Sequence, residues 1–305
     1  MTWDGTMENY KTYLVLEKSL SENSVEAYLS DIQKFATYCL DDKKIESPLF
    51  VTYEMIREYL DFISEMGITS RSQARAISSI RSFFKYLVFD GKLEKNPTRL
   101  LDTPKIGRKL PYTLTVEEID SMLSVIDMEK SEGQRNRAII EMLYSCGLRV
   151  SELIHLRLSN LNFRLGIIKV EGKGHKERII PLSKNAKEET KRYLKEYREL
   201  LNVKKGSEDI LFLSKHGSSL SRVMIFNIIK QIAKQAGIQK NISPHTFRHS
   251  FASHLVSGGA DLKAVQDMLG HESILTTEIY THLDNHYLRD TMNKYHPRAR
   301  KNMDD

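Results

Sequence analysis

A twenty-residue tract, NPTRLLDTPKIGRKLPYTLT from Asn96 to Thr115, sets the firmest limit on how this chain can fold. Pro97, Pro104 and Pro111 each remove an amide donor and fix φ, so neither a helix nor a central strand can run through it. Gly107 and four bases add to its extended, polar character. The tract therefore divides the 305 residues into two parts. Length agrees, since single cores stop growing at about 250–300 residues. The expected organisation is a helical domain over residues 1–103, a linker over 104–114 and a second domain over 115–305.

Ahead of the tract, apolar residues recur at helical spacing and no strand pattern is convincing. Helices are expected from about Met7 to Ser19, Ser24 to Leu40, Thr52 to Met66 and Ser70 to Phe89. Ser21 and Thr52 are candidate caps, and Gly67 and Gly91 are stop signals.

Charge is unevenly placed. Residues 1–70 hold 6 basic and 13 acidic side chains, whereas residues 71–110 hold 10 basic and 3 acidic. Such a reversal within one domain implies one positive and one negative face. The fourth helix carries the positive one. On a wheel of about 100° per residue, Arg71, Arg75, Ser78, Ser82 and Lys85 share one stripe, and Ala76, Ile77, Ile80, Phe83, Phe84 and Leu87 lie opposite. Cations and hydroxyls of this kind hold phosphates, and Arg71, Arg75, Ser82 and Lys85 are candidate DNA contacts. A plain amphipathic surface helix is the alternative.

After the tract helices dominate again, with one exception. LGIIKVEGKGHKERIIPLS places β-branched runs, Ile167 to Val170 and Arg178 to Leu182, on either side of a glycine turn, which predicts a hairpin. ILFLS, Ile210 to Ser214, is a further strand candidate. The fold class is thus mainly α with a small antiparallel β-sheet. Only Cys39 and Cys146 occur, both in helical patterns, so a reduced, cytoplasmic protein is expected. No apolar run reaches the roughly 18 residues of a membrane span. The acidic start lacks the pattern of a secretory signal.

SPHTFRHSFASHL, Ser243 to Leu255, raises the question of chemistry. Ser243 with Pro244 offers a helix start, and Phe247, Phe251, Ala252 and Leu255 give that helix an apolar face, yet it carries His245, Arg248 and His249 within about one turn. His245 and His249 have the spacing of a zinc helix, but the glutamate of H-E-x-x-H is missing and no Cys pair or acidic cluster adds ligands. The chain has neither a G-x-x-x-x-G-K-[ST] nucleotide loop nor a G-x-S-x-G elbow. Cys146 lies in an apolar run that reads as packing. What remains is a set of cations at constrained positions: Arg149 after Gly147, Lys173 at the hairpin tip, His245 with Arg248, and His271 after Gly270. Tyr280 follows. Guanidinium forks bind phosphodiester oxygens bidentately, so this set suits a phosphate pocket. Ordinary structural roles stay open for each residue taken singly.

Taken together and in order, GLRVSEL, GKGHKERIIPL, SPHTFRHSFASHL and LGHESILTTEIYTHL resemble the tyrosine site-specific recombinases of the phage-integrase superfamily, most closely the bacterial Xer group. SLSENSVEAYLSDIQKF and YHPRAR fit the same group, so the likeness covers essentially the whole chain. Cys146 and Glu278 stand where Thr and Gln are frequent in relatives, and neither is a catalytic position. The resemblance implies a four-helix, SAM-like core-binding domain followed by a mostly helical catalytic domain. It also implies catalytic roles for Arg149, Lys173, His245, Arg248, His271 and Tyr280, with Tyr280 as nucleophile. No metal, other cofactor or ATP is implied.

The implied reaction forms a 3′-phosphotyrosine and frees a 5′-hydroxyl. The implied roles are phosphate binding for Arg149, Arg248 and His271, leaving-group protonation for Lys173 and handling of the tyrosine proton for His245. Glu152 would orient its neighbours. His249 is expected inside the domain and His254 on the surface. The partners implied are duplex DNA clamped between the two domains, a second Xer-type recombinase in a tetrameric synapse and a DNA translocase activator. The segment from Tyr287 to Arg300 is expected to dock on a neighbouring subunit. Integration of a mobile element by the same chemistry, and a DNA-binding protein that never cuts, remain alternatives.

Overall fold

The structure is a computed structural model that describes residues 1–102, 112–130, 132–172, 177–270 and 282–300. It separates into two compact units, Met1–Lys109 and Leu110–Asp305. Most of residues 104–114, read as a linker, lie outside the described residues.

The first unit holds α1 (Trp3–Leu16), α2 (Glu22–Asp41), α3 (Tyr53–Glu65) and α4 (Ser70–Phe89). The first helix starts four residues earlier than its periodicity predicts. The Thr2 side chain caps it, and Trp3 is buried against Phe35 and Phe83 with its indole N–H donated to Ile45 O at 3.0 Å. That anchor comes from distant residues and has no local sequence signal. Thr52 caps α3 as expected, whereas the Ser21 hydroxyl pairs with that of Ser24 and caps nothing.

The inward residues of the α4 wheel are all buried. On its outward side Arg71, Ser78 and Lys85 are exposed, while Ser82 is half-buried beside Tyr10. Arg75 is exposed as well, but it is paired and not a free solvent cation. Its fork grips the buried carboxylate of Asp31 on α2 at 2.8 and 3.0 Å, and Ser79 adds a third bond at 2.9 Å. A carboxylate inside a helical unit must be paired, and Arg75 supplies the pair.

The second unit is built round α6 (Gly133–Cys146), buried at every position from Ala138 to Cys146. Packed with or near it are α5 (Val116–Ser124), α7 (Val150–Ile154), α8 (Lys184–Glu196), α9 (Arg222–Gln235), α10 (Pro244–Ser257) and α11 (Leu262–Leu269). Burial pushes the Cys146 thiol far above its ordinary range, as a packing residue requires. The antiparallel sheet runs β1 (Leu161–Asn162), β2 (Ile167–Glu171), β3 (Glu177–Pro181), with Ile168 opposite Ile180 and Val170 opposite Arg178. The expected strand at Ile210–Ser214 makes only isolated bridges. Its carbonyls go instead to side chains: Arg198 takes those of Ile210 and Leu211, and the Tyr193 hydroxyl links Leu211 and Leu213.

The C-terminal helices α12 (His282–Tyr295) and α13 (Pro297–Arg300) pack on their own unit. The segment from Tyr287 to Arg300, expected to dock on a neighbour, packs within its own unit in the single chain. Leu288 and Met292 join Phe251, Leu255 and Met268 in a satellite core. His296 is fully buried against Tyr144 and Phe251, and Arg298 pairs with Asp120 and with Glu141 at 3.2 Å. Among the described residues no helix is long and apolar enough to cross a membrane.

Candidate active site

Two glycines in left-handed conformation end the helices that frame the site. Gly147 (φ 58°) closes α6 and Gly270 (φ 63°) closes α11. After Gly147 the chain turns so that Arg149 stands just before α7, where Glu152 accepts its amide N–H at 2.8 Å. The same carboxylate takes Arg149 Nη1 at 2.8 Å, and Arg149 Nη2 reaches Gly270 O at 3.3 Å. About a third of the Arg149 side chain remains open to solvent.

Arg248 comes from α10, which starts at Ser243 and Pro244 as the sequence indicates, with the Ser243 amide donated to Thr246 Oγ1 at 3.1 Å. It is buried, donating Nη1 to Gly147 O at 2.7 Å and Nη2 to Leu269 O. Burial, then the nearby Arg149 charge, lowers its pKa to about 10, which still leaves a cation at neutral pH. Arg149 and Arg248 thus converge although 99 residues apart in sequence. Carbonyls at the two glycine turns hold them, so the forks are oriented before any substrate arrives.

Gly147 serves both the turn and the arginine. A Cβ there would lie 2.6 Å from the Phe251 ring, in a backbone region that costs other residues about 1–2 kcal/mol. Gly147→Ala is expected to lower stability by about 2 kcal/mol or more, or about 4–8 °C in Tm for a unit of this size. Thermal denaturation checks it, and an unchanged melting point would refute the packing argument.

His245 lies on the exposed side of α10, one turn before Arg248. His249 and His254 exchange their expected places. His249 is exposed, while His254 is half-buried with Nδ1 at 2.8 Å from the Tyr144 hydroxyl, and burial lowers its pKa. A wheel would have found this, since His254 falls about 20° from Phe247 and His249 about 160° away. Lys173, His271 and Tyr280 lie outside the described residues.

One buried charge escaped the sequence reading. Arg178 on β3 donates to both oxygens of Glu152, at 2.7 and 2.8 Å, and from Nε to Met268 O at 2.8 Å. Burial raises the Glu152 pKa, but the Arg178 and Arg149 bonds outweigh it and hold the carboxyl below its usual range. The available signal was strand alternation, which puts Arg178 on the same face as buried Ile180. Beside Arg149 opens a cleft of about 700 Å³, lined also by Arg157, Asn160, Lys169 and Arg222.

A mostly helical unit that orients two guanidinium groups, one of them on a cleft lined by three further cations and by Glu152, Glu171 and Glu177, suits a protein that handles phosphodiesters. The chain belongs to the phage integrase family: the family model matches residues 112–286, and that of the phage integrase N-terminal SAM-like domain matches residues 7–91. Its activity is that of a tyrosine recombinase, which breaks and rejoins DNA strands. It is 43% identical to tyrosine recombinase XerD of Staphylococcus aureus over 293 residues, which cover 96% of this chain and 99% of the relative. The XerD of Staphylococcus epidermidis matches equally well, at 43% identity over the same coverage.

Among solved structures, XerH recombinase in a post-cleavage complex with a palindromic difH substrate is 28% identical, with TM-score 0.67. The match covers 87% of this chain and 78% of XerH. The Tn1549 transposon integrase, bound to circular-intermediate DNA, shares the fold at TM-score 0.69 and 21% identity, over 90% and 93% of the two chains.

Proposed function

We propose that this recombinase resolves chromosome dimers at a dif-like site, acting on duplex DNA with a second Xer-type recombinase in a tetrameric synapse. A DNA translocase would activate it, in the cytoplasm. The near full-length likeness to staphylococcal XerD supports this over a mobile-element role, whereas the fold alone, shared with a transposon integrase, does not discriminate. The convergence of Arg149 and Arg248 carries the chemical part.

In this reading Tyr280 attacks the scissile phosphorus and the 5′-oxygen leaves with a proton from Lys173. The new ester conserves the phosphodiester bond energy, so rejoining needs no ATP. Ionising a tyrosine of pKa about 10 at neutral pH costs about 4 kcal/mol. Arg149, Arg248 and His271 offset that cost by stabilising charge on the phosphorane oxygens. Each such donor is typically worth about 10²–10³ in rate. His245, exposed beside Arg248, would handle the tyrosine proton.

The N-terminal unit would hold phosphates through Arg71, Ser82 and Lys85, with Arg75 contributing what its bond to Asp31 leaves. Arg157, Lys169 and Arg222 in the cleft would do the same for the catalytic unit. The test is a nicked duplex that traps the cleaved strand, incubated with the protein without metal or ATP. A protein–DNA adduct that survives denaturation is expected, from binding that weakens steeply between about 50 and 200 mM salt. Tight binding to a selected site without an adduct would count against the proposed site.

A further inference from the structure

The last two carbonyls of α11 and that of Gly270, which ends it, each accept from a different arginine. Met268 O takes Arg178 Nε at 2.8 Å, Leu269 O takes Arg248 Nη2, and Gly270 O takes Arg149 Nη2 at 3.3 Å. A helix C-terminus leaves such oxygens without intrahelical partners and carries partial negative charge, so it favours cations. Two of the three arginines belong to the proposed catalytic set. The third, Arg178, does not line the cleft: Nη1 and Nη2 each donate to Glu152 and Nε to Met268 O. It is 7% exposed.

We propose that Arg178 is a positioning residue for strand cleavage, bridging the α11 terminus to Glu152 and so setting the place of the Arg149 guanidinium. The inference rests on the proposed active site and extends it to a residue that need not touch DNA. Glu152 is the link. Its Oε1 accepts from both Arg178 and Arg149, and its Oε2 accepts from Arg178 and from the Arg149 amide. Backbone and side chain of Arg149 are therefore both referenced to one carboxylate, and Arg178 holds that carboxylate in register with the helix end.

The fit is close on the far side too. A Cβ at Gly270 would stand 2.9 Å from Arg178 Cδ, so the turn before His271 leaves room for this side chain only because it is glycine. Arg178 also lies on β3, five residues after Lys173 in sequence. One side chain thus ties together β3, the Glu152 carboxylate of α7 and the C-terminal end of α11.

A lysine cannot replace the fork. It could neutralise Glu152 as a point charge, but it cannot hold two carboxylate oxygens and a carbonyl in one plane. Arg178→Lys therefore separates charge neutralisation from positioning. The probe is the nicked duplex that the wild-type protein selects from a randomised pool. At saturating protein, Arg178→Lys is expected to form the covalent adduct about 10- to 100-fold more slowly, the usual effect of misplacing a reacting group by about 1 Å. Its DNA affinity should stay within about threefold and its melting point close to that of wild type.

A second variant reads the same link through pH. In Arg178→Met, burial acts on Glu152 with only Arg149 bonded to it and Arg248 as a further nearby cation, so its pKa rises. The rate relative to wild type should then fall as pH falls from about 8 to 6, as the carboxylate that holds Arg149 takes up a proton. Arg178→Met/Glu152→Gln should lose that extra dependence. An Arg178→Lys protein that cleaves at the wild-type rate would overturn the proposal, leaving Arg178 a neutralising charge only. A flat rate ratio in Arg178→Met would do the same. Absence of an adduct from wild type on every selected duplex would instead sink the active-site reading itself.

Discussion

Tyr280→Phe is expected to bind its selected DNA as tightly as wild type and to form no adduct that survives denaturation. The substitution removes one oxygen and little else, so the shape and charge presented to DNA hardly change. The reaction loses its nucleophile. Removing a nucleophile outright typically costs on the order of 10⁴–10⁶ in rate, beyond what remaining electrostatic stabilisation can restore. Loss of Arg149 or Arg248 should be milder, about 10²–10³, because each is one donor among several. The order of effects is itself a check. An adduct that persists in Tyr280→Phe would mean that another residue attacks, and peptide mapping of the adduct would locate it.

Truncation after Tyr295 should unfold the catalytic unit at markedly lower temperature, whatever it does to subunit assembly. His296 and Arg298 are 0% and 3% exposed within their own unit. Arg298 pairs with Asp120 and Glu141, and its guanidinium lies 5.5 Å from the centre of the Tyr144 ring. Glu141 is itself buried, and burial raises its pKa even with Arg298 beside it. Removing the partner of a buried charge costs about 3–5 kcal/mol, or about 6–20 °C in Tm for a unit of this size. Loss of His296 adds an apolar void between Tyr144 and Phe251; burial and the Arg298 charge hold this imidazole at a pKa of about 3, so it packs as a neutral ring. Differential scanning calorimetry of full-length and truncated chains measures the effect. A melting point within about 2 °C of wild type would show that the tail contributes little to its own fold.

The four N-terminal helices, the hairpin and the start of α10 were legible because each depends on neighbours in sequence. Apolar residues at helical spacing predicted the buried side of α4, and glycines with β-branched runs predicted β2 and β3. Where the cause was distant, the reading failed. Nothing near Trp3 announces that it will cap a core made with Phe35 and Phe83, and nothing near Arg75 reveals Asp31, 44 residues away. The exchange of His249 and His254 is a different case. Helical geometry contained the answer, but three polar residues in a row obscured which side faced inward.

The sequence by itself determined the class of chemistry. An arginine, a lysine, a histidine, a second arginine, a second histidine and a tyrosine, in that order, carry a recognisable family pattern, and residue type alone sets what each can donate, accept or attack. Only the tertiary structure decided how the cations are held. The carbonyls of Gly147, Met268, Leu269 and Gly270 that receive Arg149, Arg178 and Arg248 are backbone groups, identical in every residue. They become specific partners only when two left-handed glycine turns and a helix end meet, which no local pattern of side chains encodes.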